Sequence, residues 1–115
     1  MSKKDHKEAV VWFDKAMPLF QKAADDLPAH DVGRLGETLV SMGVSYWEVG
    51  DQDRGLEYTQ TGVELIEASV EAGYVETSIL EVPYSNLANM HRQLGETSEA
   101  EKYSRMASQS DSTIR

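Results

Sequence analysis

The 115-residue chain is 40% hydrophobic and contains two tryptophans, which is enough apolar content for one folded domain. It has no cysteine, which excludes a disulfide framework and thiolate chemistry and leaves the cytoplasm as the expected compartment. The net charge of −9 argues against nucleic acid as a partner, because phosphate backbones are bound by clustered lysine and arginine. No stretch approaches the length of a membrane span and no apolar run follows the charged N-terminus, so we expect neither a membrane partner nor a signal peptide.

The negative charge is concentrated in the middle of the chain. Between positions 36 and 81, ten acidic residues stand against a single basic residue, Arg54. The ten are Glu37, Glu48, Asp51, Asp53, Glu57, Glu64, Glu67, Glu71, Glu76 and Glu81. A solvated acidic surface explains this bias, and the same surface permits a basic partner.

The first predicted helix covers residues 5–24. Its apolar residues recur at helical spacing and form one stripe, made of Ala9, Val10, Phe13, Ala16, Met17 and Phe20. Pro18 lies within this stripe and is expected to kink the helix, because proline removes a backbone hydrogen bond. The segment Asp25-Asp26-Leu27-Pro28 then predicts a loop.

Residues 31–73 predict two helices joined by a tight turn at Gly50. Small residues occur where these two helices would touch, and glycine at a helix crossing lets two backbones approach closely. The small residues are Gly43, Gly55 and Gly62. Two further glycines, Gly33 and Gly36, are expected to weaken the start of the first helix of the pair by up to about 1 kcal/mol each.

A second pair of helices is predicted over residues 76–108, with Gly95 at the turn between them. Pro83 is expected to bend the first helix of this pair or to split off its first turn and a half. Residues 109–115 are polar, so a frayed tail is expected. The sequence therefore predicts one all-α domain of five helices.

The two helical pairs repeat one pattern. A shift of 45 residues places Gly50 on Gly95 and superimposes the contact residues, with Gly43 on Ala88, Gly55 on Ala100 and Gly62 on Ala107. One pair cannot bury both of its faces alone, so the pairs are expected to stack. The first helix aligns with the second member of each pair, as the back half of a repeat whose front half is absent.

Two sets of residues identify the repeat. In the central pair they are Leu39, Met42, Gly43, Tyr46, Gly50, Asp51, Gly55, Leu56, Tyr58 and Gly62, and in the later pair they are Tyr84, Leu87, Ala88, Gly95, Ala100 and Ala107. This pattern resembles the tetratricopeptide repeat (TPR) family, although His91 replaces the usual tyrosine and the spacing of 45 exceeds the usual period of about 34 residues. Long-helix members of the family, such as kinesin light chains, have similarly stretched repeats. The resemblance implies a short right-handed solenoid of antiparallel hairpins, with a half repeat over 5–24 and repeats over 31–73 and 76–108.

The resemblance also implies that the first helices of the repeats line a groove for a peptide or a partner helix. The candidate binding residues are Val40, Val44, Trp47, Asn86, Asn89 and Arg92. Asn86 and Asn89 share one helix face, and each amide offers a donor and an acceptor to a peptide backbone; the alternative is a solvated surface or a contact between repeats. Trp47 could anchor a ligand side chain, or it could pack beneath the Gly50 turn or against the previous repeat. Val40 and Val44, one turn apart, could extend an apolar patch of the groove or could cover the first helix.

No catalytic, metal or cofactor site is predicted. His6, His30 and His91 are far apart in sequence and share no ligand spacing, and His91 falls at a packing position of the repeat. No glycine-rich phosphate loop is present. We therefore expect a protein that is not an enzyme and needs no cofactor.

Two functions remain open at this stage. The first is a protein–protein interaction scaffold that binds a peptide or a partner helix in the groove. The second is a structural spacer or a self-associating segment of a larger multidomain protein. The second is favoured by the first helix, because the partner that should cover one side of its apolar stripe is missing.

Overall fold

The computed structural model of the chain describes residues 3–26 and 31–112. These residues form five α-helices and no strand, which confirms the all-α prediction. The helices are α1 Lys3–Asp26, α2 Val32–Glu48, α3 Gln52–Glu71, α4 Glu81–Gln93 and α5 Thr97–Ser112, and a 3-10 turn at Thr77–Leu80 precedes α4. Leu27, Pro28 and His30 lie outside the described residues, as do the side chains of Ala16, Met17 and Phe20.

Two helices differ from their predicted extents. α1 is longer than predicted at both ends and continues without a break through Pro18, which is exposed. α5 continues past Ser108 to Ser112. The expectation of a frayed tail from residue 109 is therefore wrong for residues 109–112. Ser110 is buried there and donates a hydrogen bond to the carbonyl of Met106 at 3.0 Å, which explains how a polar segment stays helical.

Three helices end in the same backbone turn, as predicted from their glycines. Gly50, Gly73 and Gly95 have φ values of +97°, +86° and +80°, the left-handed region that glycine adopts without steric cost. After α2 the N–H of Gly50 donates to the carbonyl of Trp47 at 3.1 Å, and the N–H of Asp51 donates to the carbonyl of Tyr46 at 2.9 Å. This Schellman pattern satisfies carbonyls that would otherwise be left unpaired at the helix end.

The α2–α3 hairpin is held by two reciprocal glycine contacts. A Cβ added to Gly36 would lie 2.7 Å from the carbonyl oxygen of Gly62, and one added to Gly62 would lie 2.5 Å from that of Gly36. Gly43 and Gly55 form the second pair, at 2.6 and 3.0 Å. The pairs run in opposite directions along the two helices, so the hairpin is antiparallel. The predicted contacts of Gly43, Gly55 and Gly62 are confirmed, whereas Gly36 is a contact residue and not merely a weak point.

The second hairpin uses alanine at the equivalent places. Ala88 of α4 and Ala100 and Ala107 of α5 are buried, with 3%, 2% and 7% of their surface exposed. Pro83 is the third residue of α4. A backbone N–H at this position has no partner within the helix, so the proline removes no helical hydrogen bond of its own there. The separate 3-10 turn before α4 confirms that the helix is split near this proline.

The core consists of two clusters on either side of α2. The first joins Leu35, Leu39, Met42 and Tyr46 of α2 to Val10 and Phe13 of α1 and to Tyr58 and Leu65 of α3. The second joins Val40 to α3, α4 and α5 and includes Val63, Ile66, Leu80, Tyr84, Leu87, Ala88, Tyr103 and Ala107. Because α2 contributes to both clusters, it fixes α1 and α4 relative to one another.

Candidate functional site

An open cleft of about 360 Å³ lies where α1, α2 and α4 meet. Three helices line it, with His6, Phe13, Val40, Ser41, Val44, Ser45, Val82 and Asn86. This volume is near the lower end of the range for ligand sites, about 300–1,000 Å³.

The walls of the cleft are mainly apolar. Ser41 and Val44 lie one turn apart on α2 and face α4, where Val82 remains 66% exposed although it borders the cleft. Val40 borders the same cleft but retains only 7% exposure, because it also packs into the second core cluster. Val40 thus packs mainly against α3, α4 and α5 and not over α1, whereas Val44 is half-buried on the wall of the cleft.

The polar groups of the cleft come from three helices. Asn86 of α4 is half-buried on the wall, and its side-chain amide carries both donors and an acceptor. The Nδ1 of His6 and the Oγ of Ser45 form a buried hydrogen bond of 3.0 Å between α1 and α2. This bond ties the N-terminal part of α1 to the cleft wall and leaves the amide as the group best able to bond a ligand backbone.

Asn89 and Arg92 lie outside the cleft, one and two turns further along α4 than Asn86. Both are exposed, and Arg92 donates to the Oδ1 of Asn89 at 2.9 Å. The other guanidinium nitrogen of Arg92 donates to the Oγ of Ser104 on α5 at 3.3 Å. The predicted asparagine pair is therefore not brought together at one site, since only Asn86 borders the cleft.

Trp47 is a packing residue, which was the alternative to a ligand anchor. Its side chain is 8% exposed, and its Nε1 donates to the Oε1 of Gln93 on α4 at 2.9 Å. Its backbone lies beside Gly55, where an added Cβ would be 2.9 Å from the Trp47 nitrogen. Trp47 is not a wall of the cleft; it holds the C-terminal end of α2 against α3 and α4.

Two buried tyrosines anchor the helices around the cleft. Tyr46 donates a short hydrogen bond to the carboxylate of Asp14 on α1, and Arg54 of α3 pairs with the same carboxylate at 3.3 Å. On the other side of the molecule Tyr84 of α4 donates to Glu67 of α3 at 2.5 Å. Burial, followed by these carboxylate bonds, raises the pKa of both tyrosines above the usual range.

His91 is confirmed as a packing residue. It is 8% exposed, its ring stacks on that of Tyr103 with centroids 5.5 Å apart, and its Nδ1 lies 3.0 Å from Glu96. No three His, Asp or Glu side chains within the described part of the chain are grouped as a metal ion would require. Over residues 3–26 and 31–112, no helix has both the length and the apolar character needed to cross a membrane.

Five residues of the cleft were not among the sequence candidates: His6, Phe13, Ser41, Ser45 and Val82. His6 and Phe13 belong to α1, and their approach to α2 depends on long-range packing that no local pattern shows. Ser41 could have been found, because it precedes the candidate Val44 by one helical turn, and Ser45 follows Ser41 by another turn. Val82 is the residue before Pro83, and its exposure follows from the split at the start of α4.

Comparisons with protein-family models, with curated proteins and with solved structures found no match for this chain.

Proposed function

We propose that this chain is a protein-interaction module whose cleft holds a peptide or a helix of a partner protein. The observation that carries the proposal is the concave site itself, in which Val44 and the exposed Val82 stand beside the amide of Asn86. Apolar walls with one well-placed amide are typical of sites that take a side chain and bond the neighbouring backbone.

The same proposal regards the two hairpins as TPR-like repeats stacked in a right-handed solenoid. It is supported by the glycine contacts between α2 and α3 and by buried alanines at the corresponding positions of α4 and α5. The cleft then lies between α2 and α4, the first helices of successive repeats. The overall dimensions of 41 × 37 × 21 Å agree with a slab about two helix diameters thick.

Within this proposal the candidate residues divide into three roles. Val44 and Asn86 contact the ligand directly, and Val40 forms the floor beneath it. Asn89 and Arg92 belong to the exposed surface beyond the cleft, where they can meet only a ligand that extends along α4. Trp47 keeps α2 and α4 at the separation that the cleft needs.

The test is a selection of binders from a random dodecapeptide library displayed on phage, with the wild-type chain as bait. An enriched peptide is synthesised with a fluorescent label and titrated by anisotropy. Ser41→Tyr fills the cleft from an exposed position and is expected to weaken binding about tenfold, or about 1.4 kcal/mol. Asn86→Ala is expected to cost about 1 kcal/mol, the contribution of one hydrogen bond.

Two matched controls accompany these variants. Gln60→Tyr adds the same ring to an exposed position of α3, and Asn89→Ala removes the neighbouring amide outside the cleft. Both are expected to bind within about twofold of wild type. Equal losses in Ser41→Tyr and Gln60→Tyr, or no enrichment on the wild-type chain, would refute the proposed function.

Self-association through α1 is a second candidate function, favoured by a specific observation. Val11 and Trp12 are each 56% exposed and lie beside Phe13, whose ring meets that of Trp12 edge-on with centroids 5.2 Å apart. An exposed pair of large apolar residues on one helix is a common element of protein interfaces. Light scattering over a concentration series tests it: a dimer that Val11→Lys disrupts would support this function, and a monomer at all concentrations would exclude it.

A further inference from the structure

The charges around the cleft have one sign on two of its three helices. On α2 and α4, every charged residue within one turn of a cleft-lining residue is a glutamate: Glu37, Glu48 and Glu81. All three are exposed. Within one turn of His6 and Phe13, α1 carries three acids (Asp5, Glu8 and Asp14) and four lysines (Lys3, Lys4, Lys7 and Lys15), a net charge of +1 that offsets one of the three glutamates. The apolar cleft is therefore bordered by net negative charge.

Two of these glutamates lie at opposite ends of the cleft wall formed by α2. Glu37 precedes Ser41 by four residues, and Glu48 follows Val44 by four, so all four residues lie on one face of the helix. Eleven residues of helix separate the two carboxylates, a rise of about 16 Å. An extended peptide covers that distance in about five residues.

The arginines of α2, α3 and α4 do not neutralise this wall. Arg34 lies two turns from Ser41, at the far end of α2. Arg92 already donates hydrogen bonds to Asn89 and Ser104. Arg54 pairs with Asp14 and Asp51 on another side of the hairpin.

We propose that the cleft binds a basic–aliphatic–basic segment of a partner protein. An aliphatic side chain enters between Val44 and Val82, and lysine or arginine side chains on either side of it meet Glu37 and Glu48. This inference rests on the proposed binding function and specifies the chemistry of the ligand. A second copy of this chain is a poorer occupant of the cleft, because its sequence is net acidic and not basic.

The composition of the selected peptides gives the first test. Phage displaying random dodecapeptides are selected on the wild-type chain and depleted on the Ser41→Tyr variant, so that only cleft binders remain. The sequences retained are expected to carry net positive charge around one Leu, Ile or Val. Retained sequences that are neutral or acidic would overturn the charge inference.

A pair of charge-reversal variants gives the second test. One retained peptide, labelled with fluorescein, is titrated into Glu37→Lys/Glu48→Lys and into the control Glu57→Lys/Glu64→Lys. The control pair is exposed on α3, which supplies none of the residues lining this cleft, and it changes the net charge equally. The first variant is expected to weaken binding about tenfold and the control about twofold or less.

High salt tests whether the loss of peptide binding in the charge variants is electrostatic. In about 1 M salt, where charges are screened beyond about 3 Å, the difference between the two charge variants should nearly disappear. Equal losses in both variants at low salt would mean that only the overall charge matters, which would overturn the proposed ligand class. If Ser41→Tyr still blocks binding in that case, the cleft and its binding function stand; if no peptide depends on Ser41, both proposals fail together.

Discussion

Replacing Gly43 by alanine tests how the central hairpin is held together. The added methyl group would lie 2.6 Å from the carbonyl oxygen of Gly55, 2.7 Å from the backbone nitrogen of Thr59, and closer still to the hydroxyl of Thr59. Two of these three atoms belong to the backbone of α3. No rotamer change can therefore relieve the clash, and α3 as a whole has to move.

The size of the effect follows from that movement. To reach ordinary contact at 3.4 Å, the oxygen of Gly55 has to retreat by about 0.8 Å, a gap that forfeits a quarter to a half of each dispersion contact across the interface. Overpacking of this kind costs about 1–3 kcal/mol or more. Alanine regains about 1 kcal/mol through its higher helix propensity. Because the clash is with backbone atoms, we expect a net loss toward the upper end of the difference, about 1–2 kcal/mol, or about 5–10 °C in Tm.

Thermal and urea unfolding followed by circular dichroism measure this loss. Ser41→Ala is the matched control, because it changes an exposed residue of the same helix and is expected to leave stability unchanged or slightly raised. Gly55→Ala should be less damaging than Gly43→Ala, since its closest contact would be 2.9 Å. A Gly43→Ala variant as stable as wild type would refute close backbone contact as the basis of the hairpin.

Further predictions concern the buried hydroxyl groups, the turn after α2 and alkaline pH. Ser69→Ala removes a buried hydroxyl that has no hydrogen-bond partner, so it should raise stability by about 1 kcal/mol, measured by urea unfolding. Gly50→Ala should cost about 1–2 kcal/mol in the same assay, because an L residue is strained at a φ of +97°. Burial and carboxylate bonds raise the pKa of Tyr46 and Tyr84 in the folded chain, so the unfolded chain loses these protons first as the pH rises through about 10. Stability should then fall by up to about 1.4 kcal/mol per pH unit for each tyrosine, and a double Phe variant measured over the same pH range should show a flatter profile; an equal slope in both proteins would contradict this.

The helices were predictable because their signals are local. Apolar residues at helical spacing gave the five elements, and Gly50 and Gly95 marked the turns because each terminates a periodic segment. The end of α5 was not predictable from apolar content, since Ser110 is buried through a hydrogen bond to its own helix backbone. A polar residue can satisfy its hydroxyl in this way and remain inside a helix.

The glycine contacts show where local reasoning fails and what would have corrected it. Gly36 lowers helix propensity wherever it lies in a helix, so its local effect suggests only a weak start to α2. In an antiparallel hairpin, however, the contact of Gly43 with Gly55 sets the register. Seven residues back on α2 and seven forward on α3 then bring Gly36 to Gly62. The spacing of the glycines on both helices, counted from the contact of Gly43 with Gly55, therefore identifies the contact of Gly36 with Gly62.

The cleft was only partly predictable. Its α2 wall followed from the helix face that carries Val40 and Val44, whereas His6 and Phe13 come from α1 and depend on how that helix packs. Asn86 and Asn89 lie about 60° apart around α4, and the edge of the cleft falls between them. Trp47 is buried and bonds to Gln93 of α4, a contact between residues 46 positions apart that no local pattern shows.

Chemical-shift mapping with a selected peptide tests the central claim most directly. A ¹⁵N-labelled chain is titrated with the unlabelled peptide, and the perturbed backbone amides are placed on the structure. We expect the largest shifts at the cleft, around Ser41, Val44 and Asn86, with little change at Gln60 and Glu64 on α3. Shifts centred on α3, or on Val11 and Trp12 alone, would show that the chain binds through a different surface.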